Sequence, residues 1–203
     1  MPPTEESARP DLAAELEAMW QHDQEVRAEL AAAGSLFDGY HPRMEQVHRA
    51  NAARLREIIE AHGWPGRALV GVSAARAAFG VLNHAIGEPA LQRLGLELLE
   101  ARSAERDVDP IEVAMLADRI AFFEGRPQRY GTQFDWDDHG ELRPWELDDA
   151  DGVDSRRAAV GLPPLAEQLA AAQAGLGRET RPDRAAARRA EMVAWARSVG
   201  WRD

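Results

Sequence analysis

Proline and glycine cut this chain into stretches whose apolar residues recur three and four positions apart, and that punctuation constrains the fold more than any other feature. From Pro10 to Ala33, Leu12, Leu16, Met19, Trp20, Val26 and Leu30 keep helical spacing, with Asp11 near the start and Gly34 as the stop. His41-Pro42 opens a second helix, which runs to about His62 and ends at Gly63-Trp64-Pro65-Gly66. A third is expected over Ser73 to Ile86, where Ala74, Ala75, Ala77, Ala78 and Gly80 allow a neighbouring backbone to pack closely. Pro89 begins a fourth, to about Ser103, and Asp109 caps a fifth from Pro110 to Glu124. Connections of about 2–8 residues favour antiparallel neighbours, hence a bundle.

After Gly125 the pattern changes. Gln128 to Trp136 and Glu141 to Trp145 read as two short strands around Asp137-Asp138-His139-Gly140. A short helix from Arg156 to Gly161 and two more, Pro163 to Ala174 and Pro182 to Val199, complete the chain. The expected fold is therefore mainly α: an antiparallel helical bundle with a small β-hairpin insertion and a C-terminal helical pair. The expected division is a disordered N-terminus over 1–10, a core domain over 11–170 with its hairpin near 128–146, and a helical extension over 171–203.

Residue usage excludes several chemistries. Cysteine is absent, which removes thiol nucleophiles, disulfides, thiolate zinc sites and iron–sulfur clusters. All 24 basic residues are arginine, so lysine Schiff bases and a Walker A lysine are excluded. With a net charge of −11 and no basic face, neither nucleic acid nor an anionic membrane is an expected partner. No apolar run approaches the ~20 residues of a bilayer span, and the acidic start lacks a signal-peptide layout. A cytoplasmic protein with a small-molecule ligand is the expectation.

The chemistry-bearing residues lie on the apolar stripes. Asp23 stands four residues after Met19 and three before Val26, in the middle of the first helix's apolar face. His48 follows Met44 by four, and Asn51 joins that face; His84 shares a face with Ala77, Gly80 and Val81; Asp118 is flanked by Ile111, Ala114, Met115, Ala121 and Phe122. A buried unpaired charge costs several kcal/mol, so these groups are expected to meet one another, Arg27, Arg119 or a ligand, in a polar pocket. Each is also open to a structural role as a satisfied hydrogen-bonder. For metals, Glu45-x-x-His48 supplies one Glu-x-x-His unit where a di-iron bundle needs a pair, and His-Glu-x-x-His is absent. No cofactor is expected, with a divalent metal as the minority alternative. Nor is there a nucleophile elbow or a dinucleotide-binding glycine fingerprint.

Several words then occur in order: Gly63-Trp64-Pro65, Val70-Gly71, Asn83-His84-Ala85, Ala117-Asp118-Arg119, Gln128-Arg129-Tyr130-Gly131-Thr132-Gln133, and Asp154-Ser155-Arg156-Arg157 with Gly161-Leu162. Together they resemble an uncharacterised bacterial domain family of unknown function, over about residues 11 to 170. The resemblance implies a shared fold and site but brings no activity with it. It singles out His84 and Asp118, and adds Arg119, Gln128, Tyr130, Gln133, Arg156 and Arg157; Asn83 stands where family members often carry glutamine.

The leading expectation is a small enzyme of accessory or specialised metabolism that uses acid–base chemistry on a polar, anionic small molecule. His84 is the expected acid or base and Asp118 its orienting partner. Arg119, Arg156 or Arg157 would hold the anion, and Gln128, Tyr130 and Gln133 would position the substrate. Asp23, Arg27, His48, Asn51 and Asn83 would support the pocket. An isomerase, lyase, cyclase or hydrolase fits. The alternatives are a non-catalytic binding, immunity or regulatory protein, and a metal-dependent helical-bundle enzyme.

Overall fold

The computed structural model describes residues 7–36, 39–137, 139–175 and 185–203. The chain divides into two compact units, Met1–Asp109 and Pro110–Asp203. Among the described residues there are eight helices and one two-stranded sheet, so the protein is mainly α with a hairpin insertion. No helix among them is long and apolar enough to cross a membrane.

The first unit contains α1 (Pro10–Ala32), α2 (Pro42–His62), α3 (Arg67–His84) and α4 (Pro89–Ser103). Prolines open α1, α2 and α4, where the missing N–H and fixed φ cost nothing. His41 caps α2, its Nδ1 accepting from the Arg43 amide at 3.1 Å. Gly63 stops α2 with φ of 74°, a value glycine adopts without strain. Leu16, Val26, Leu55, Ile58, Leu82, Leu91 and Leu99 are almost wholly buried and form the core.

α3 begins earlier than its periodicity predicts. It consists of two helical pieces joined at Gly71, whose φ of 80° and ψ of 169° break the helix inside the element. The first piece, Arg67 to Val70, is a single turn and too short to display an apolar period. The small-residue face of α3 does receive α1 closely. A Cβ on Gly80 would stand 2.6 Å from the Trp20 ring, so the contact requires glycine.

The second unit contains α5 (Pro110–Glu124), β1 (Phe134–Trp136), β2 (Leu142–Pro144), α6 (Val153–Val160), α7 (Leu165–Gly175) and α8 (Ala185–Ser198). The strands are antiparallel, with Phe134 opposite Pro144, Asp135 opposite Arg143 and Trp136 opposite Leu142. They are shorter than predicted because residues 128–133 do not pair as strand. Gln128 makes only an isolated bridge to Leu147, and the amides of Arg129, Tyr130, Thr132 and Gln133 turn to side chains of their own unit. The start of the last predicted helix, Pro182 to Arg184, lies outside the described residues. α8 packs on α5: Phe123 stacks on Trp201 and meets Trp195 edge-on. Arg202 donates to the carbonyls of Phe122 and Phe123 at 3.0 and 2.7 Å, the first of which also accepts from the Gly125 amide at the end of α5.

Candidate functional site

In the first unit three helices bring Asp23, His48 and His84 together. Asp23 sits on α1 between the buried Leu16 and Val26 and is itself fully buried. His84, the last residue of α3, places Nδ1 at 2.9 and 3.1 Å from the two Asp23 carboxylate oxygens. His48, on α2, places Nε2 3.0 Å from Asp23 Oδ2. That oxygen is off the line of the ring N–H, so the contact at this buried nitrogen is short but poorly aligned. The His48 Nδ1 lies 2.8 Å from the Tyr40 hydroxyl. Gln24 donates to Asp23 Oδ1 at 2.9 Å and fixes the carboxylate from the other side.

Aromatic rings enclose the cluster. Trp20 lies 5.0 Å from His84, centroid to centroid, Tyr40 stacks on His48, and the two imidazoles are 5.1 Å apart. Burial pushes the Asp23 carboxyl up, but its contacts with His48 and His84 and their positive charge outweigh that and hold it well below the usual carboxylate range. Burial and the negative charge of Glu45 raise the Tyr40 phenol, which therefore stays protonated. The arrangement offers three metal-type donor atoms or, without an ion, a histidine whose Nδ1 is held by a carboxylate.

Asp118 is engaged differently from the sequence expectation. The carboxylate at His84 is Asp23. Asp118, fully buried on α5, accepts from the amides of Arg129 (2.8 Å), Tyr130 (3.0 Å) and Thr132 (2.9 Å) and from the Thr132 hydroxyl (3.0 Å). Both its oxygens are thereby committed to the loop of residues 129–132. From the carbonyl side, the fully buried Arg157 donates to Tyr130 O at 2.6 Å, Gly131 O at 3.3 Å, Pro163 O at 2.6 Å and Gln168 Oε1. An anion thus holds the loop's N–H groups and a cation holds its C=O groups.

Gln128, Gln133 and Arg156, also expected to bind substrate, belong to the same assembly. Gln128 donates to the carbonyls of Gln133 and Trp145 at 2.9 and 3.0 Å and accepts from the Gln133 amide at 2.9 Å. The Gln133 side chain donates to Thr132 Oγ1. Arg156 binds the Arg129 carbonyl and pairs with Asp148 and Asp149. The Tyr130 and Arg119 side chains are half-buried. In the first unit, Asn51 donates to Met19 O at 3.3 Å and ties α2 to α1, while the Asn83 carbonyl accepts from Gln92 at 3.1 Å. Arg27 is exposed one turn beyond Asp23.

Sequence reasoning reached Asp23, His48 and His84 but missed Tyr40, Gln24 and Trp20. Trp20, three residues before Asp23 and hence on its face, was signalled by helical spacing. Tyr40 lies in a connection, where no periodicity points to a partner.

The fold and these two assemblies define a mainly α chain with a His–Asp–His cluster in one unit and an ion-clamped loop in the other. The chain belongs to a family of unknown function, DUF6624, whose model matches residues 10–179. Comparison with curated proteins and with solved structures finds no match.

Proposed function

We propose that this protein is an enzyme acting on a polar small molecule, with its reaction centre at Asp23, His48 and His84 and with proton transfer, not a covalent nucleophile, as its chemistry. The observation that carries this reading is that two imidazoles from different helices converge on one fully buried carboxylate. A core that needed only packing would not gather three ionisable side chains, since each must be desolvated. Asp23 binds His84 through Nδ1, the arrangement in which a carboxylate fixes an imidazole's orientation for proton transfer at its other nitrogen.

The test is a turnover screen of the native protein, His84→Ala and Asp23→Asn against a panel of small carboxylates, phosphates and neutral polar metabolites, read by mass spectrometry. The expected result is conversion of at least one compound, lost by about 100-fold or more in both variants with their helical circular dichroism retained. Folded variants with native turnover would refute the reading. The second reading, a non-catalytic binding protein, is favoured by the loop of residues 128–133, where Asp118, Gln128 and Arg157 use their polar atoms to hold backbone. It is supported if the panel yields a ligand that raises the melting temperature but is never converted.

A further inference from the structure

We infer that Asp23, His48 and His84 form a binding site for one divalent first-row transition-metal ion. Each residue offers one ligand atom, and these atoms lie within 4.8 Å of one another. Donors around a four-coordinate ion at ~2.0–2.2 Å stand about 3.4 Å apart, so the 3.1 Å from Asp23 Oδ2 to His84 Nδ1 and the 3.0 Å from the same oxygen to His48 Nε2 need only small outward movements. Two imidazoles with one carboxylate suit zinc, iron, cobalt or nickel, and the hard, oxygen-preferring calcium is disfavoured.

Two further features point to an ion and not only to hydrogen bonding. The buried His48 Nε2 stands 3.0 Å from an anionic oxygen but poorly aligned for a hydrogen bond to it, a geometry that a cation held between the two would complete. The remote nitrogens and oxygens are fixed from outside, as outer partners fix metal ligands. The Tyr40 hydroxyl lies 2.8 Å from His48 Nδ1, and Gln24 donates to Asp23 Oδ1 at 2.9 Å. Three protein ligands leave a position for water or substrate, which is the pattern of a catalytic site rather than a closed structural one.

For its chemical use this inference rests on the reaction centre proposed above, but moves the proton transfer from the His84 imidazole, whose Nδ1 the ion would occupy, to a bound water: when bound, such an ion supplies a water that ionises near neutrality. For its test it does not. The full chain, purified without a histidine tag and stripped with a chelator, is titrated with Co(II) followed by visible absorption, then with Zn(II) in competition. The expected result is one equivalent of Co(II), displaced by Zn(II). Tyr40→Phe weakens binding about 10-fold, and Asp23→Asn and His48→Ala by more than about 100-fold. His22→Ala, which changes an exposed histidine of α1, leaves binding unchanged.

The inference is overturned if the native chain takes up no Co(II), or if Tyr40→Phe, Asp23→Asn and His48→Ala all bind it with native affinity. Tyr40→Phe keeps the comparison decisive should a ligand variant fail to fold. No Co(II) uptake by a native chain whose metal-free turnover disappears in His84→Ala overturns the metal and leaves the proton-transfer reading intact. Tight Co(II) binding by a protein that converts nothing in the panel establishes the metal and overturns the enzyme reading.

Discussion

Replacing Asp118 by alanine separates a structural carboxylate from a catalytic one. The substitution leaves three backbone amides and one hydroxyl without their acceptor. Hydrogen bonds to a charged group contribute about 1.5–3 kcal/mol each. Four of them are not additive, and water can enter a part-buried loop once the carboxylate is gone, so the expected loss is about 3–5 kcal/mol. Asp118→Asn keeps one accepting oxygen but turns an NH2 group toward amide donors, for an expected loss of about 2–3 kcal/mol. Urea denaturation gives the energies. Amide hydrogen exchange gives the location, because the Arg129, Tyr130 and Thr132 amides should lose protection first. If Asp118→Ala lies within about 1 kcal/mol of native and Thr132 keeps its protection, the loop is not held as described. A stable Asp118→Ala that loses turnover would return Asp118 to a catalytic role.

Arg157→Met keeps much of the volume but strands the acceptors of Tyr130, Gly131, Pro163 and Gln168; it should cost about 3–5 kcal/mol in urea denaturation. Because Asp118 and Arg157 hold the same loop, the double variant should lose clearly less than the sum of the two, and strict additivity would count against a shared clamp. Gly80→Ala gains helix propensity of about 1 kcal/mol but drives a Cβ into the Trp20 ring at 2.6 Å. Overpacking of about 1–3 kcal/mol should win, giving a net loss of stability and a shifted His84 ring resonance by NMR as Trp20 moves. An unshifted resonance would show that Trp20 does not set the histidine's surroundings.

The helices were legible because their punctuation is chemical. Pro10, Pro42, Pro89 and Pro110 each open a helix, as read from the sequence. Less legible was Gly71, since the turn before it is shorter than one apolar period. The strands were overdrawn for a related reason: residues 128–133 have extended-looking composition, yet the amides of Arg129, Tyr130 and Thr132 are taken by Asp118, and a carboxylate on α5 leaves no local mark on that segment. At the site, periodicity identified which polar side chains face inward. It carries no information on which of them meet. Asp23 and Asp118 are alike in that pattern, and only the packing of α1 against α3 decides that Asp23 is the carboxylate at His84.

The contact between Asp23 and His84 joins positions 61 apart in the chain, with His48 entering from a third helix between them. None of the three residues can assemble its surroundings from its own helix, so the cluster is a long-range product of folding. During synthesis, Asp23 and His48 must wait until all of α3 has followed, and until then a carboxylate destined for the core has no second imidazole to meet. A chain truncated before His84 would keep sequences able to form α1 and α2 and still lack the site. The cluster's presence therefore reports, as a single yes or no, that α1, α2 and α3 have come together.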